Sequence, residues 1–324
     1  MEREKSMKSK LLDTIFFSEK RKDLLLFLAD GPKSTAEIKE AFDFPWKSMI
    51  PQIKQLLKTG LLEKEGDMYR LSGMGPVVVA NMKHLLGALE LYEEDMDYWK
   101  NHDLSSLPSS LGARLGELGN CSFVPLKNEG ILHQAGFLNE VLASSRVLFF
   151  ASAFYSELPF IYSELTGRGI KTSIIISETV FKDMKEELFE DKNPMDLKNP
   201  VFGMLFEEYR KEAGRLLDRK NPDVFVYGGS RVPAAVLLTD KLLMVVLYGK
   251  PGVLPNRCLL SKEPGALKWG EELFIYYMKE SRHISSCQTH SQVSTHEDPE
   301  PRRTDKTPPQ EISGMQAFPG LHRS

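Results

Sequence analysis

The sequence predicts an α/β protein with a small helical domain at its N-terminus, a long linker helix, a largely parallel sheet domain and a disordered C-terminal tail. Residues 1–74 combine short amphipathic helical patterns with a hairpin signal. Residues 121–282 alternate apolar runs with amphipathic stretches, which is typical of strands covered by helices. From residue 283 onwards polar and charged residues dominate, so the segment 283–324 has too little apolar surface to fold.

Composition restricts the class of protein. The chain has 324 residues, of which 41% are hydrophobic and 27% charged, enough for about two folded domains. Its net charge of −3 excludes a strongly basic chain but not a local basic surface. The three cysteines have no CxxC spacing, which argues against a disulfide scaffold or a cysteine-rich zinc site and favours a reducing cytoplasm. No apolar run is long enough to span a membrane, and the charged N-terminus does not resemble a secretory signal.

Three helices are predicted in the first 60 residues. The first covers residues 10–29, is bent near Ser18, and stops at a Gly-Pro pair. Ser34 and Glu37 have the spacing of a capping box, which opens a short second helix over residues 35–42. The third helix covers residues 46–59 and ends at a glycine. Because proline is tolerated only in the first turn, Pro51 places its regular start near Lys47 or Ser48.

A hairpin around Gly66-Asp67 follows the third helix, and this order of elements is that of a winged helix-turn-helix. The outward face of the third helix is polar and basic and has no acidic residue, which suits a helix that enters a DNA groove. A solvated face on a protein-binding winged helix is the alternative, since residues 1–74 contain 14 Lys/Arg against 12 Asp/Glu. The predicted contacts with double-stranded DNA, the last two in the wing, are Lys47, Ser48, Gln52, Gln55, Lys58, Lys64 and Arg70.

The linker, residues 75–120, begins with a predicted long helix over residues 76–101. Apolar residues recur there at alternating steps of four and three, which is the pattern of a helix seam. The seam predicts a homodimer that sets two recognition helices at a fixed spacing, although it could instead pack within its own chain. The predicted dimerisation residues are Val78, Met82, Leu85, Leu89, Tyr92 and Met96.

The second domain carries no signature of catalysis. It lacks a phosphate-binding glycine loop, an HExxH motif and a GxSxG motif. We therefore predict a non-enzymatic effector-sensing domain for a small molecule or protein, with neither cofactor nor metal. A phosphodiesterase- or nucleotide-processing enzyme and a protein-interaction adaptor are the alternatives. Ligands of open α/β sheets bind beyond the strand ends, so the predicted pocket residues are Ser152, Tyr155, Ser177, Thr179, Arg231 and Tyr248.

Four stretches of the sequence resemble a family of archaeal winged-helix transcriptional regulators of methanogens, which carry a methanogenesis regulatory domain. The resemblance covers about residues 8–282. It implies a cytoplasmic regulator of genes of methanogenic metabolism but supplies no effector. The matching stretches are Leu28-Ala-Asp-Gly-Pro-Lys with Glu37-Ile38, Ser48-Met-Ile-Pro-Gln-Ile-Lys-Gln-Leu, Tyr69-Arg-Leu-Ser and Trp99-Lys-Asn-His-Asp-Leu.

Overall fold

The computed structural model describes residues 10–126, 137–153, 155–189, 200–218, 220–229, 232–250 and 257–286. Within these ranges, no helix has the combination of length and apolar character that crossing a bilayer requires.

The N-terminal region has the predicted order of helices and hairpin. Its three strands form one antiparallel sheet in the order β1-β3-β2. The predicted bent first helix is two helices, because Ser18 has an extended backbone between them. The elements are α1 (Lys10–Phe16), α2 (Glu19–Phe27), β1 (Lys33–Ser34), α3 (Thr35–Ala41), α4 (Trp46–Lys58), β2 (Leu62–Glu65) and β3 (Met68–Leu71).

The predicted capping box is confirmed at the start of α3. Ser34 Oγ accepts a hydrogen bond from the Glu37 amide at 3.2 Å, and the Glu37 carboxylate accepts one from the Ser34 amide at 2.7 Å. These bonds lower the pKa of the Glu37 carboxyl below its usual value. The box fixes where α3 begins and so how α3 leads into α4.

The predicted long linker helix is interrupted. Helix α5 (Gly75–Glu94) ends at Asp95, and α6 (Met96–Asn101) begins directly after it. Asp95 caps α6, since its Oδ1 accepts a hydrogen bond from the Tyr98 amide at 2.8 Å, and it also pairs with Arg257. A single helix over residues 76–101 is therefore wrong, because the side chain that interrupts it is held by the sheet domain.

An eight-stranded sheet forms the second region, and its strands are mostly antiparallel. Among the described residues, parallel pairing occurs only between β5 (Arg146–Ala151) and β6 (Lys171–Ser177) and between β6 and β7 (Val224–Tyr227), so the prediction of a largely parallel sheet is wrong. Helices cover both faces of the sheet, so its central strands are apolar on both faces, and this pattern does not reveal strand direction. The order is β11-β7-β6-β5-β8-β9-β10-β4. The strands are β4 (Cys121–Pro125), β5 (Arg146–Ala151), β6 (Lys171–Ser177), β7 (Val224–Tyr227), β8 (Ala235–Thr239), β9 (Leu243–Val246), β10 (Arg257–Ser261) and β11 (Ser281–His283).

Two of these strands, β10 and β11, were not predicted, and the second corrects the boundary of the tail. His283 belongs to β11, which pairs with β7 and forms one edge of the sheet. Ile284 is only 1% exposed and packs in the core. Folded structure therefore includes residues 283–286, because β11 pairs along β7 and the core accepts the side chain of Ile284. The remaining residues of the predicted tail lie outside the described residues.

Two apolar cores lie on the two faces of this sheet. Trp269, Leu273 and Tyr277 of one helix are almost fully buried on one face. The other face is covered by side chains that include Leu165, Val180 and Ala213. The helices are α7 (Ser109–Gly112), α8 (Phe137–Leu142), α9 (Leu158–Gly167), α10 (Glu178–Phe189), α11 (Pro200–Leu216) and α12 (Pro264–Lys279).

Helix α5 contributes side chains to both the N-terminal core and a core of the sheet. Val79 and Met82 are buried with the winged-helix residues, whereas Leu91 is buried with α12. Between them, Gly87 lies against Gly116, where an added Cβ would come within 2.6 Å of the α5 backbone. The two glycines therefore allow a close backbone contact that side chains would prevent. Helix α5 thus packs against both the N-terminal region and the sheet region.

Candidate nucleic-acid interface

Helix α4 is amphipathic, and its outer face is basic. Met49, Ile53 and Leu56 are buried in the core of the N-terminal region. The helix begins at Trp46, one residue before the predicted start, and it tolerates Pro51 on the exposed side. It contains three lysines and no acidic residue. An exposed helix face of this composition can approach phosphates without meeting a repulsive charge.

Three of the predicted DNA contacts are available on this face. Lys47 and Lys58 are exposed, and Gln55 is partly exposed. Among the described residues, none of these three side chains has a hydrogen-bond or ion-pair partner. Each can therefore bind another molecule without breaking a contact within the protein.

Two other predicted contacts on α4 are held by α2. Ser48 Oγ accepts a hydrogen bond from Lys20 Nζ at 2.8 Å. Gln52 Oε1 accepts one from Arg21 Nη1 at 2.7 Å. These side chains therefore lie on the flank of α4 that faces α2, in fixed positions, rather than on its outermost surface.

Lys20 and Arg21 were not predicted as part of the interface. They follow Glu19 at the start of α2, where the sequence shows only a mixed run of charges. Lys20 also lies 4.8 Å from the centre of the Phe44 ring, and Lys39 lies 5.0 Å from that of Trp46. The basic surface therefore extends beyond α4, and sequence periodicity contains no signal for contacts between residues about 30 positions apart.

The hairpin differs from α4 because its arginine is paired with acidic side chains. Arg70 Nη2 pairs with Glu63 Oε2 at 3.0 Å, and Arg70 Nη1 lies 3.5 Å from Glu65 Oε2. Lys64 Nζ is 5.1 Å from the centre of the Tyr69 ring. Arg70, predicted as a phosphate contact, is therefore already paired with carboxylates.

The predicted dimerisation residues fall into two groups. Met82 is 3% exposed in the core of its own chain, and Val78 packs against that core, so neither is free to form a seam. The predicted seam assumed that all six side chains face a second chain, whereas Val78 and Met82 pack onto the core of the N-terminal region. The remaining four are between 39% and 48% exposed and are Leu85, Leu89, Tyr92 and Met96.

Three of the predicted pocket residues lie close together at or just beyond the carboxyl ends of strands β5, β6 and β9. Ser152 Oγ lies 3.0 Å from the Tyr248 hydroxyl, and Ser177 Oγ donates to the Ser152 carbonyl at 3.4 Å. Ser177 Oγ also accepts a hydrogen bond from the Val180 amide at 3.2 Å, so it caps α10. The sequence prediction thus placed these side chains together, although each also has a structural partner.

The other predicted pocket residues are less clearly grouped. Tyr155 packs against Phe149, and burial raises the pKa of its hydroxyl. Thr179 is exposed in the first turn of α10, and Arg231 lies outside the described residues. A cavity of about 510 Å³ lies beside the edge strand β4, and Ser122, Phe137 and Leu242 contribute to its lining. Sequence reasoning did not predict that cavity.

Comparison with known families gives matches over most of the chain. The model described as "Methanogenesis regulatory protein FilR1, N-terminal domain" matches residues 9–90. The model described as "Methanogenesis regulatory protein FilR1, middle domain" matches residues 134–195 and 195–280. A curated relative, the methanogenesis regulatory protein FilR1 of Methanothrix harundinacea (strain 6Ac), is 24% identical over 243 residues. The match covers 73% of this chain and 50% of the relative, so the chain spans about half the length of that relative.

Likenesses to solved structures are weak. TrmBL2, described as an archaeal chromatin protein, gives a TM-score of 0.33 and 14% identity over 84% of this chain and 97% of that chain. A phospholipase D family member, Nuc from Salmonella typhimurium, gives 0.31 and 11% over 50% of this chain and 96% of that chain. Phosphatidylserine synthase of Haemophilus influenzae gives 0.31 and 13% over 54% and 43%. TM-scores of this size support no inference about the fold or function of this chain.

Proposed function

Because the chain belongs to the family of methanogenesis regulatory proteins described by the FilR1 N-terminal and middle domains, we propose that it is a DNA-binding transcriptional regulator of methanogenic metabolism. In this proposal, residues 1–74 bind double-stranded DNA, residues 75–120 link two copies, and residues 121–282 sense an effector. The α/β region then has a binding role rather than a catalytic one.

One observation carries the proposal of DNA binding: the outer face of α4 presents cations that have no hydrogen-bond or ion-pair partner within the described ranges of the chain. Lys47 and Lys58 are exposed, and no carboxylate lies on the helix that bears them. A protein that neutralises phosphates with such lysines releases condensed counterions, and its affinity falls steeply with salt. Gln55, on the same face, offers both a donor and an acceptor to base edges.

The test is a salt titration with the full chain. Fluorescence anisotropy with a labelled random-sequence duplex of about 30 base pairs is measured between about 50 and 200 mM salt. We expect a linear fall of log affinity with log salt, with a slope close to −0.9 for each phosphate contact. Absence of binding to any duplex at the lowest salt concentration would remove this proposal.

The proposal of a homodimer is supported by the exposed apolar row Leu85, Leu89, Tyr92 and Met96. Leu85, Leu89 and Tyr92 are exposed at steps of four and three on α5, and Met96 is exposed at the start of α6. Large apolar side chains that form an exposed patch of this kind mark an interaction surface. A second copy of the same row would cover this patch and set two α4 helices at one spacing, as a repeated operator requires.

Sedimentation of a charged variant tests the dimer. The double substitution Leu85→Glu/Leu89→Glu should convert a dimer into a monomer, because it places carboxylates in an apolar contact. Lys83→Glu, on the same helix but off the row, is the control and should remain dimeric. A wild-type protein that sediments as a monomer at micromolar concentration would contradict the proposal.

The proposal of an effector pocket is supported by a cluster of hydroxyl side chains at the carboxyl ends of the strands. Ser152, Ser177 and Tyr248 place three hydroxyls close together where strands end, which is where open α/β sheets bind ligands. A signal bound there would reach the DNA-binding region through α5, which contributes buried side chains to both cores. Thermal-shift screening of the full chain with a panel of small anionic metabolites tests whether a ligand binds at this cluster. Tyr248→Phe should reduce the increase in melting temperature that such a ligand causes.

A further inference from the structure

We propose that Arg21 is a positioning residue that makes Gln52 a reader of guanine rather than adenine. This inference rests on the proposed DNA-binding function and adds a base preference to it. It concerns two side chains from different helices, Arg21 on α2 and Gln52 on α4.

Arg21 fixes which end of the Gln52 amide faces the protein. A guanidinium group only donates hydrogen bonds, so the atom it contacts at 2.7 Å must be the amide oxygen of Gln52. Ser18 Oγ donates to the same oxygen at 3.4 Å. Arg21 is itself held by α1, because its Nε donates to the carbonyl of Thr14. Both acceptor positions of the Gln52 oxygen are therefore used inside the protein.

The free edge of Gln52 consequently carries only donors. Its NH₂ group has no acceptor among the described residues. In the major groove guanine presents two acceptors, N7 and O6, whereas adenine presents the acceptor N7 beside the donor N6. Reading adenine requires the glutamine oxygen as well as its NH₂ group. A glutamine whose oxygen is occupied therefore favours guanine.

The neighbouring contact strengthens this geometry. Lys20 holds Ser48 at 2.8 Å, one helical turn before Gln52, so the flank of α4 is attached to α2 at two successive turns. A side chain that is already fixed loses less rotamer entropy when it meets a base. Arg21 acts through Gln52 and needs no contact with the base.

Selection from duplexes with a random core tests the inference. The full-length wild type and each variant retain DNA at low salt, and the retained pools are sequenced. Gln52→Ala identifies the base position that Gln52 reads, since the preference there is lost. In Arg21→Met the ratio of guanine to adenine at this position should fall at least about fivefold, the lower end of what a bidentate base contact contributes.

Two controls separate positioning from charge. Lys20→Met removes the same charge from the same helix but leaves the Gln52 oxygen bound, so all sites should weaken equally with the base ratio unchanged. Arg21→Lys retains a hydrogen-bond donor to the Gln52 oxygen and should therefore retain the preference for guanine. Gln52→Glu retains the contact with Arg21 but offers only acceptors, so it should lose the guanine preference even if Arg21→Met does not fold.

The outcomes distinguish the two levels of the proposal. If the wild type retains no duplex, the proposed function fails, and this inference fails with it. If the wild type retains duplexes and prefers adenine at the position lost in Gln52→Ala, the inference alone is overturned. An unchanged ratio in folded Arg21→Met, or an unchanged preference in Gln52→Glu, overturns it in the same way.

Discussion

Helix α4 and the β2–β3 hairpin were predicted to share one task, yet their charges are arranged differently. Each contributes two cations to the predicted DNA contacts. On α4, Lys47 and Lys58 are exposed without a carboxylate on the same helix. On the hairpin, Arg70 is held between Glu63 and Glu65. The comparison teaches that a cation contributes to a binding surface only if its neighbours leave its charge uncompensated.

The balance of charge over the two elements follows the same division. Helix α4 carries three lysines and no acid, whereas the span from β2 to β3 carries three acids and two cations. Duplex DNA has one negative charge per about 1.7 Å of its axis, so the hairpin meets repulsion where α4 meets attraction. We therefore expect α4 to dominate the affinity and the hairpin to contribute little in the wild type.

The largest effect is expected when α4 loses two of its three exposed lysines, the ones near its two ends. Lys47→Ala/Lys58→Ala should reduce the affinity for duplex DNA at about 0.1 M salt by one to two orders of magnitude, because two phosphate contacts are lost. The slope of log affinity against log salt should become shallower by about two. The control Lys171→Ala/Lys250→Ala makes the same change in net charge on the sheet region. An equal loss in the control would mean that only total charge matters.

A smaller effect, of opposite sign, is expected when the hairpin loses its acids. Glu63→Gln/Glu65→Gln releases Arg70 from its ion pairs, so the affinity should rise roughly three- to tenfold and the salt slope should steepen by about one. Anisotropy titrations measure both quantities. Glu40→Gln/Glu93→Gln gives the same change in net charge without releasing an arginine, and should raise the affinity less. If the two double substitutions raise the affinity for DNA equally, the ion pairs of Arg70 do not limit the contribution of the hairpin to DNA binding.

The sequence predicted those parts of the site that depend on local spacing. The burial of Met49, Ile53 and Leu56 follows from helical periodicity, and the Ser34–Glu37 capping box follows from a spacing of three. Even the pairing of Arg70 with Glu63 was available in principle. A two-residue turn at Gly66-Asp67 places residue 65 opposite 68, and therefore residue 63 opposite 70.

Contacts between distant parts of the chain were not predictable in this way. The bond between Arg21 and Gln52 joins residues 31 positions apart, and no periodic pattern encodes it. The direction of the strands was missed because both faces of the sheet are covered, so parallel and antiparallel strands have the same apolar pattern. The end of α5 at Asp95 depends on Arg257 of β10, a strand that the sequence did not reveal.

The smallest effect is expected from Arg70 alone, and it gives the sharpest contrast between the two elements. Arg70→Met should change the affinity for duplex DNA by less than about twofold, since its charge is already compensated, whereas Lys58→Met should weaken binding by about tenfold. Both substitutions remove one exposed cation and retain an unbranched apolar side chain, so Lys58→Met is the matched comparison. The free energy of unfolding of Arg70→Met should fall by no more than about 1 kcal/mol, as for other exposed ion pairs. If Arg70→Met instead weakens binding as much as Lys58→Met, Arg70 exchanges Glu63 for phosphate when DNA binds, and the hairpin becomes the equal of α4.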